Sequence, residues 1–195
     1  MAVNRLETER LILRHIEMSD ADAMFHNWAS DPEVVKFLPY DAHVSIEDSR
    51  NQMAEWIRDL DKVSSGSWEI FAIELKSTGE TIGTIDFHET DREAKSAEVG
   101  YQLGRAWWGN GYMAEALRAL FTYCFETVGF NRVWATYDSR NPGSGRVMQK
   151  AGMLYEGTLR QCKFRKGELV DRLYYAILAE DYFGAKESPN EKQQK

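Results

Sequence analysis

Three strand-like runs follow one another in the first half of the chain, and the third leads through two glycines into the longest helical pattern. The runs cover residues 68–75, 81–88 and 97–103, with Thr78-Gly79-Glu80 turning the first into the second. This spacing predicts an antiparallel meander. Gly109-Asn110-Gly111 then opens a helix whose Met113, Leu117, Leu120, Phe121, Cys124 and Val128 form one apolar stripe, and Gly129 suits its C-terminal cap. A sheet with one face covered by such a stripe is an α/β arrangement.

The flanking patterns extend it. Residues 11–16 read as a strand. A short helix follows over Met24, Phe25 and Trp28, with Ser19 and Asp22 at capping-box spacing and Asp31-Pro32 at its end. A second helix, started by Ser45 with Asp48, carries Ile46, Met53, Trp56, Ile57 and Leu60 on one face. Beyond the long helix come a strand at 132–138, a helix begun by Asn141-Pro142 and ended by Gly152, and a hairpin of residues 154–164 and 169–178. No internal repeat or linker interrupts this order. Residues 1–185 are expected to form one domain, and the polar residues 186–195 a disordered tail.

Charge is distributed unevenly. The 195 residues carry a formal charge of −7, but residues 1–104 hold −11, residues 105–166 hold +6 and the remainder −2. The middle block reads as an anion-binding surface inside an acidic chain, while the overall acidity argues against nucleic-acid binding. A hydrophobic content of 43% with six Trp supplies a core and excludes a disordered chain. No run approaches the roughly 18 apolar residues of a membrane span, and no signal-peptide layout opens the chain. A cytoplasmic location with no membrane partner is therefore expected. Cys124 and Cys162 are too few for a disulfide scaffold or a Cys-rich zinc site.

The glycine loop suggests a ligand. Glycines let backbone approach a bound group closely, and the open N–H groups and dipole of a helix N-terminus favour phosphate. The same residues could serve only to turn the chain. A dinucleotide fold is a competing reading, because Gly109, Gly111 and Ala114 satisfy G-x-G-x-x-A. It fails on context: five residues separate the strand from the loop, residues 132–136 hold no carboxylate for a ribose, and the preceding strands are a meander.

Glu98-Val99-Gly100-Tyr101-Gln102-Leu103, followed by Trp108-Gly109-Asn110-Gly111-Tyr112-Met113-Ala114-Glu115-Ala116-Leu117, resembles the acetyl-CoA signature of the GNAT N-acetyltransferases, in particular the ribosomal-protein N-terminal acetyltransferases of RimJ/RimL type. Leu6-Glu7-Thr8-Glu9-Arg10-Leu11-Ile12-Leu13-Arg14 is typical of that subgroup. So are Asn141-Pro142-Gly143-Ser144-Gly145, Lys150-Ala151-Gly152-Met153 and Tyr155-Glu156-Gly157-Thr158-Leu159-Arg160. The resemblance spans residues 5–183. It implies an α/β GNAT fold, a mixed and mostly antiparallel splayed sheet flanked by about four helices. It also implies acetyl-CoA as co-substrate, no metal, and direct transfer to an amine acceptor in a ternary complex. The pantetheine arm would pair with backbone of Tyr101, Gln102 and Leu103. The pyrophosphate would rest on N–H groups of Trp108, Gly109, Asn110, Gly111, Tyr112 and Met113, and Asn141 would touch the cofactor where the sheet parts. Ala106 stands where the common loop has Gln or Arg, so the phosphate contact falls to its neighbour Arg105. Backbone N–H at the end of the 97–103 strand would polarise the acetyl carbonyl.

Transfer to an amine needs a base for the amine and a proton for the departing thiolate. Many GNAT enzymes supply that proton from a Tyr in the helix after the Asn loop, but the corresponding residue is Met148. Resemblance to the Rim-type subgroup places Ser144 near the sulfur as donor or acid, and helix capping explains it equally well. For the base the resemblance suggests Glu69, acting through a water, with Glu98 and Glu89 in reserve; a solvated strand carboxylate is the plainer alternative. Asp171 and Tyr174 match a feature of the subgroup's closing hairpin and read as structural ahead of any acceptor role. Asp86 with His88, and Asp41 with His43, each offer two ligands, too few for a metal. Cys124 reads as core. The acceptor is expected over the acidic N-terminal helices, near Glu47, Asp48, Glu55, Asp59 and Asp61. That favours a cation: a protein N-terminus, a polyamine or an aminoglycoside. A non-catalytic acyl-CoA-binding module is the third reading, and both monomer and homodimer are compatible with the sequence.

Overall fold

The computed structural model describes residues 5–64 and 66–187. Eight strands form one sheet in the order β1-β2-β3-β4-β5-β6-β8-β7. They are β1 (Arg5–Glu7), β2 (Leu11–His15), β3 (Trp68–Leu75), β4 (Thr81–Asp91), β5 (Ser96–Leu103), β6 (Arg132–Asp138), β7 (Leu154–Arg165) and β8 (Glu168–Leu178). The helices are α1 (Asp20–Met24), α2 (Pro32–Val35), α3 (Ile46–Leu60), α4 (Tyr112–Thr122), α5 (Pro142–Ala151) and α6 (Ala179–Glu187). Wider π-helical turns, Phe25–Ala29 and Tyr123–Val128, prolong α1 and α4.

Strand alternation sorts the apolar residues onto two faces. Phe71 and Ile73 of β3, Ile85 and Phe87 of β4, Val99 of β5, and Val133 and Ala135 of β6 pack with the Met113, Leu117, Leu120, Phe121 and Cys124 stripe of α4. Ile70 and Ala72 point the other way, onto Met24, Trp28 and Met53. Each fully buried Leu, Ile or Phe contributes roughly 1.5–3 kcal/mol, so the sheet is held from both sides.

All strand pairs are antiparallel except β5 with β6, and that pair is short. Ser96 faces Arg132, Ala97 faces Val133 and Glu98 faces Trp134. Beyond Glu98 the two strands part. β5 continues against β4 alone and β6 against β8 alone. The sheet therefore forks, and among the described residues no strand pairs with the β6-facing edge of β5 from Val99 to Leu103.

Some local expectations change. Ser19 does not cap α1: its backbone is helical and its hydroxyl turns to Glu17. The entry to α1 is fixed by the buried Asp20, which takes Arg14 in two hydrogen bonds of 2.8 and 2.7 Å and accepts the Glu17 N–H. Asp48 does close the α3 box, accepting from the Val44 and Ser45 N–H groups. Asp31 caps a new short helix, α2, through the Glu33 N–H, in addition to ending the preceding one. At the far end α6 runs to Glu187, past the expected boundary at 185, with Lys186 paired to Glu126. Residues 188–195 of the expected tail lie outside the described residues. Among those described, no helix is long and apolar enough to cross a membrane.

Candidate active site

The fork encloses a cavity of about 420 Å³. β5 from Glu98 to Leu103 forms one wall, and the end of β6 with the start of α5 forms the opposite one. The glycine loop and the start of α4 close one end, and Phe37, Leu38 and Pro39 of the α2–α3 connection reach the other. An unpaired strand edge is a row of open N–H and C=O groups, a template for an extended chain of amides.

Gly109 and Gly111 take φ of +82° and +81°, a left-handed backbone that disfavours any side chain. Gly111 starts α4 with no side chain capping it, and Gly111, Tyr112, Met113 and Ala114 line the cavity. The first-turn N–H groups are therefore open to an anion. The loop is braced from behind. Thr8 Oγ1 donates to Glu115 (2.6 Å), Arg10 Nε donates to the same carboxylate (2.7 Å), and Arg10 Nη1 donates to the Asn110 carbonyl (3.0 Å). The Arg10 guanidinium also lies 4.5 Å above the Tyr112 ring. Burial opposes ionisation of Glu115, but these hydrogen bonds outweigh it and hold the carboxyl below its usual range.

Tyr101, Gln102, Leu103, Trp108, Gly109, Gly111, Tyr112, Met113, Asn141 and Ser144 all line the cavity. Two of the expected contacts do not. The Asn110 side chain donates to the Trp107 and Trp108 carbonyls, and Arg105 is drawn away by an ion pair with Asp31 at 2.8 Å. The cations beside the loop come instead from α5, as Arg146 and Lys150. An uncapped helix end with two flanking cations, continuous with an open strand edge, fits a phosphate-bearing ligand with an amide arm.

Polar chemistry meets at the fork. Ser144 sits in the first turn of α5, where Asn141 accepts its N–H and Tyr101 of β5 meets its hydroxyl at 2.8 Å. Burial raises the Tyr101 pKa, keeping the phenol protonated. Met148 is buried and cannot donate a proton. Glu98 also lines the cavity, on the sheet face opposite α4. Burial raises its pKa, while His88, 3.6 Å away, and Arg172 favour its charged form. Asp86 lies behind Gly100, where an added Cβ would come within 2.7 Å of its Oδ1, and burial with the Glu98 charge pushes its pKa up to about 7.

Glu69, the expected base, is elsewhere. It is 6% exposed on the α4 side of the sheet, accepting from the Tyr123 hydroxyl at 2.9 Å and meeting His15 Nε2 at 3.3 Å, and it does not line the cavity. The alternation of β3 turns Glu69 with Phe71 and Ile73 toward α4. Glu89 is held by Ser67 and Arg92 outside the cavity. Neither do the acidic residues of α3 reach it: Glu47 pairs with Arg50, Asp48 is the cap and Asp59 pairs with Lys62. Asp41 meets Lys166, and His43 meets Ser49, so they form no common face. Cys124 is buried, with its thiol pKa pushed up by that burial. Asp171 accepts the Gln161 N–H in the hairpin, and Tyr174 stacks on Trp134, both structural contacts. Tyr137, Arg165 and Arg172 also face the cavity, and no sequence motif marks them. Only the period-2 pattern of β6 and β8, once paired, could have aimed Tyr137 and Arg172 there.

A forked mixed sheet with a glycine loop at the N-terminus of its central helix is an arrangement suited to a coenzyme A thioester. The chain matches the acetyltransferase (GNAT) domain over residues 10–154 and belongs to the GNAT family of N-acetyltransferases, enzymes that use acetyl-CoA. It is 37% identical over 179 residues to the uncharacterized N-acetyltransferase p20 of Bacillus licheniformis, covering 92% of this chain and 98% of that one. It is 27% identical over 183 residues to the [ribosomal protein uS5]-alanine N-acetyltransferase of Escherichia coli, covering 91% and 92% respectively. The fold superposes on RimL, a ribosomal L7/L12 α-N-protein acetyltransferase in complex with coenzyme A, with a TM-score of 0.77 at 22% identity, covering 89% of this chain and 97% of that one.

Proposed function

We propose that this enzyme acetylates a protein N-terminal α-amine by direct attack in a ternary complex, with Glu98 as base and Ser144 as the hydrogen-bond donor to the leaving thiolate. The observation carrying this reading is that Glu98 and Ser144 face one cavity from opposite walls of the fork. The open β5 edge takes the pantetheine arm, with its N–H groups directed at the acetyl oxygen. Glu98, on the face opposite α4, takes a proton from the incoming ammonium directly or through one water. Either hydroxyl can donate in the 2.8 Å contact between Tyr101 and Ser144; in this mechanism the phenol gives its one proton to Ser144 Oγ, which leaves the serine proton free for the sulfur.

The 27% identical relative that acts on a ribosomal-protein alanine supports a peptide acceptor. A polycationic small molecule is disfavoured, because the acidic helix α3 contributes nothing to the cavity and Arg165 and Arg172 do. The test is coenzyme A release with ribosomal-protein N-terminal peptides, polyamines and aminoglycosides. A kcat/KM for peptides at least about tenfold higher, equivalent to about 1.4 kcal/mol, supports the reading. Preference for a polyamine or an aminoglycoside overturns it.

A further inference from the structure

Two arginines stand on the acceptor side of the fork. Arg172 of β8 faces the same side of the sheet as Glu98, and Arg165 ends β7 beside it; both line the cavity. Neither has a carboxylate within 4.0 Å among the described residues. Arg172 spends Nε and Nη2 on Thr136, and Arg165 Nε is buried with no hydrogen-bond partner. Burial, and next the Arg165 charge, pull the Arg172 pKa below its ordinary value.

The surrounding cations are already satisfied. Arg140 is held by Asp138 and Glu168, and Lys166 by Asp41 and the Val35 carbonyl. The Lys166 contact ties the β7–β8 turn to the α2–α3 connection, so Arg165 is fixed over the cavity. The cations suited to coenzyme phosphates, Arg146 and Lys150, stand on α5 beside the glycine loop, on the other face of the sheet. The two guanidiniums are half-buried, with the Glu98 charge near them but beyond 4.0 Å, and Arg165 Nε still lacks an acceptor; their forked N–H groups match a carboxylate.

We propose that the acceptor is zwitterionic: its amine meets Glu98 while a carboxylate a short distance along the same molecule is held by Arg165 and Arg172. This rests on the assignment of the Glu98 side to the acceptor. The carboxylate has two sources, the α-carboxylate of a free amino acid or an acidic side chain near a peptide N-terminus.

Calorimetry on the full chain loaded with coenzyme A separates them. N-acetylalanine against N-acetylalaninamide probes the first source, and N-acetyl-Ala-Asp-amide against N-acetyl-Ala-Asn-amide the second. In at least one pair the carboxylate form should bind about tenfold or more tightly, as charge-assisted bidentate recognition gives. Arg165→Gln should erase the preference without changing coenzyme A affinity, and Arg172→Lys should keep part of it where Arg172→Gln does not. Equal binding within both pairs overturns the proposal, as does a loss of coenzyme A affinity in Arg165→Gln, which would make these arginines phosphate ligands. A preference confined to N-acetylalanine would uphold the zwitterion and reject the peptide acceptor. Acetylation of peptides regardless of nearby carboxylates would do the reverse.

Discussion

The hydroxyls of Tyr101 and Ser144 lie 2.8 Å apart across the fork, one on β5 and the other in the first turn of α5. The phenol oxygen also lies 3.2 Å from the Ser144 carbonyl, a second acceptor within reach of its one proton, which places the phenol against the helix start. Ser144→Ala is therefore expected to lower kcat by about 10²-fold, within the range for a positioned proton donor, while KM for acetyl-CoA changes little. Tyr101→Phe should give a smaller loss. Steady-state thiol release measures both, and unchanged kcat in Ser144→Ala would make the residue a helix cap only.

Glu98 must be ionised to accept a proton. Since burial raises its pKa, kcat/KM should fall as pH drops through a value above the ordinary glutamate range. Glu98→Gln should lower kcat/KM by about 10²-fold or more and remove that acid limb. Glu69→Gln, by contrast, should leave the pH profile in place and lower Tm, because it disturbs a buried carboxylate bound by Tyr123.

Asp86 gives an independent reading of the same region. Its pKa rises from 3.8 to about 7, so the folded state favours the neutral acid and stability declines as pH rises between those values. Asp86→Asn does not ionise. Its stability relative to the wild type should be greatest above pH 7, by about 4 kcal/mol, and shrink toward pH 4. Urea melts across that range measure the difference, and a difference independent of pH would mean Asp86 is charged throughout.

The glycine loop should be sensitive to its backbone and to its brace. Gly111→Ala forces a side chain into φ of +81°, at a cost of about 1 kcal/mol, and should raise KM for acetyl-CoA severalfold. Arg10→Ala leaves the loop chemistry intact but removes contacts to Glu115, Asn110 and Tyr112. The expected result is also a higher KM for acetyl-CoA, with kcat nearly unchanged, measured by acetyl-CoA titration at saturating acceptor.

The glycine-loop end of the cavity is legible in the sequence because it is built from backbone. Gly109, Gly111 and the α4 stripe are local signals, and β6 lies at the expected residues 132–138. The proposed acceptor side is built from side chains that meet only after the sheet has paired. Glu69 and Glu98 look alike in sequence, and strand parity separates them: one turns toward α4, the other into the fork. Arg105 similarly looks available until Asp31, 74 residues earlier, folds against it. Charge blocks mislead for the same reason. Arg132 and Arg140 of the +6 segment are neutralised by Glu156 and by Asp138 with Glu168, while Arg172 lies outside that segment and faces the cavity.

The reaction itself is followed through one acetyl group. The wild type and Glu98→Gln are incubated with acetyl-CoA and the preferred N-terminal peptide, and the modified atom is located by fragmentation mass spectrometry. Acetylation is expected at the α-amine with the wild type, and its rate should fall by about 10²-fold in Glu98→Gln. Acetylation of a lysine ε-amine, or undiminished α-amine acetylation by Glu98→Gln, would contradict α-amine transfer with Glu98 as base.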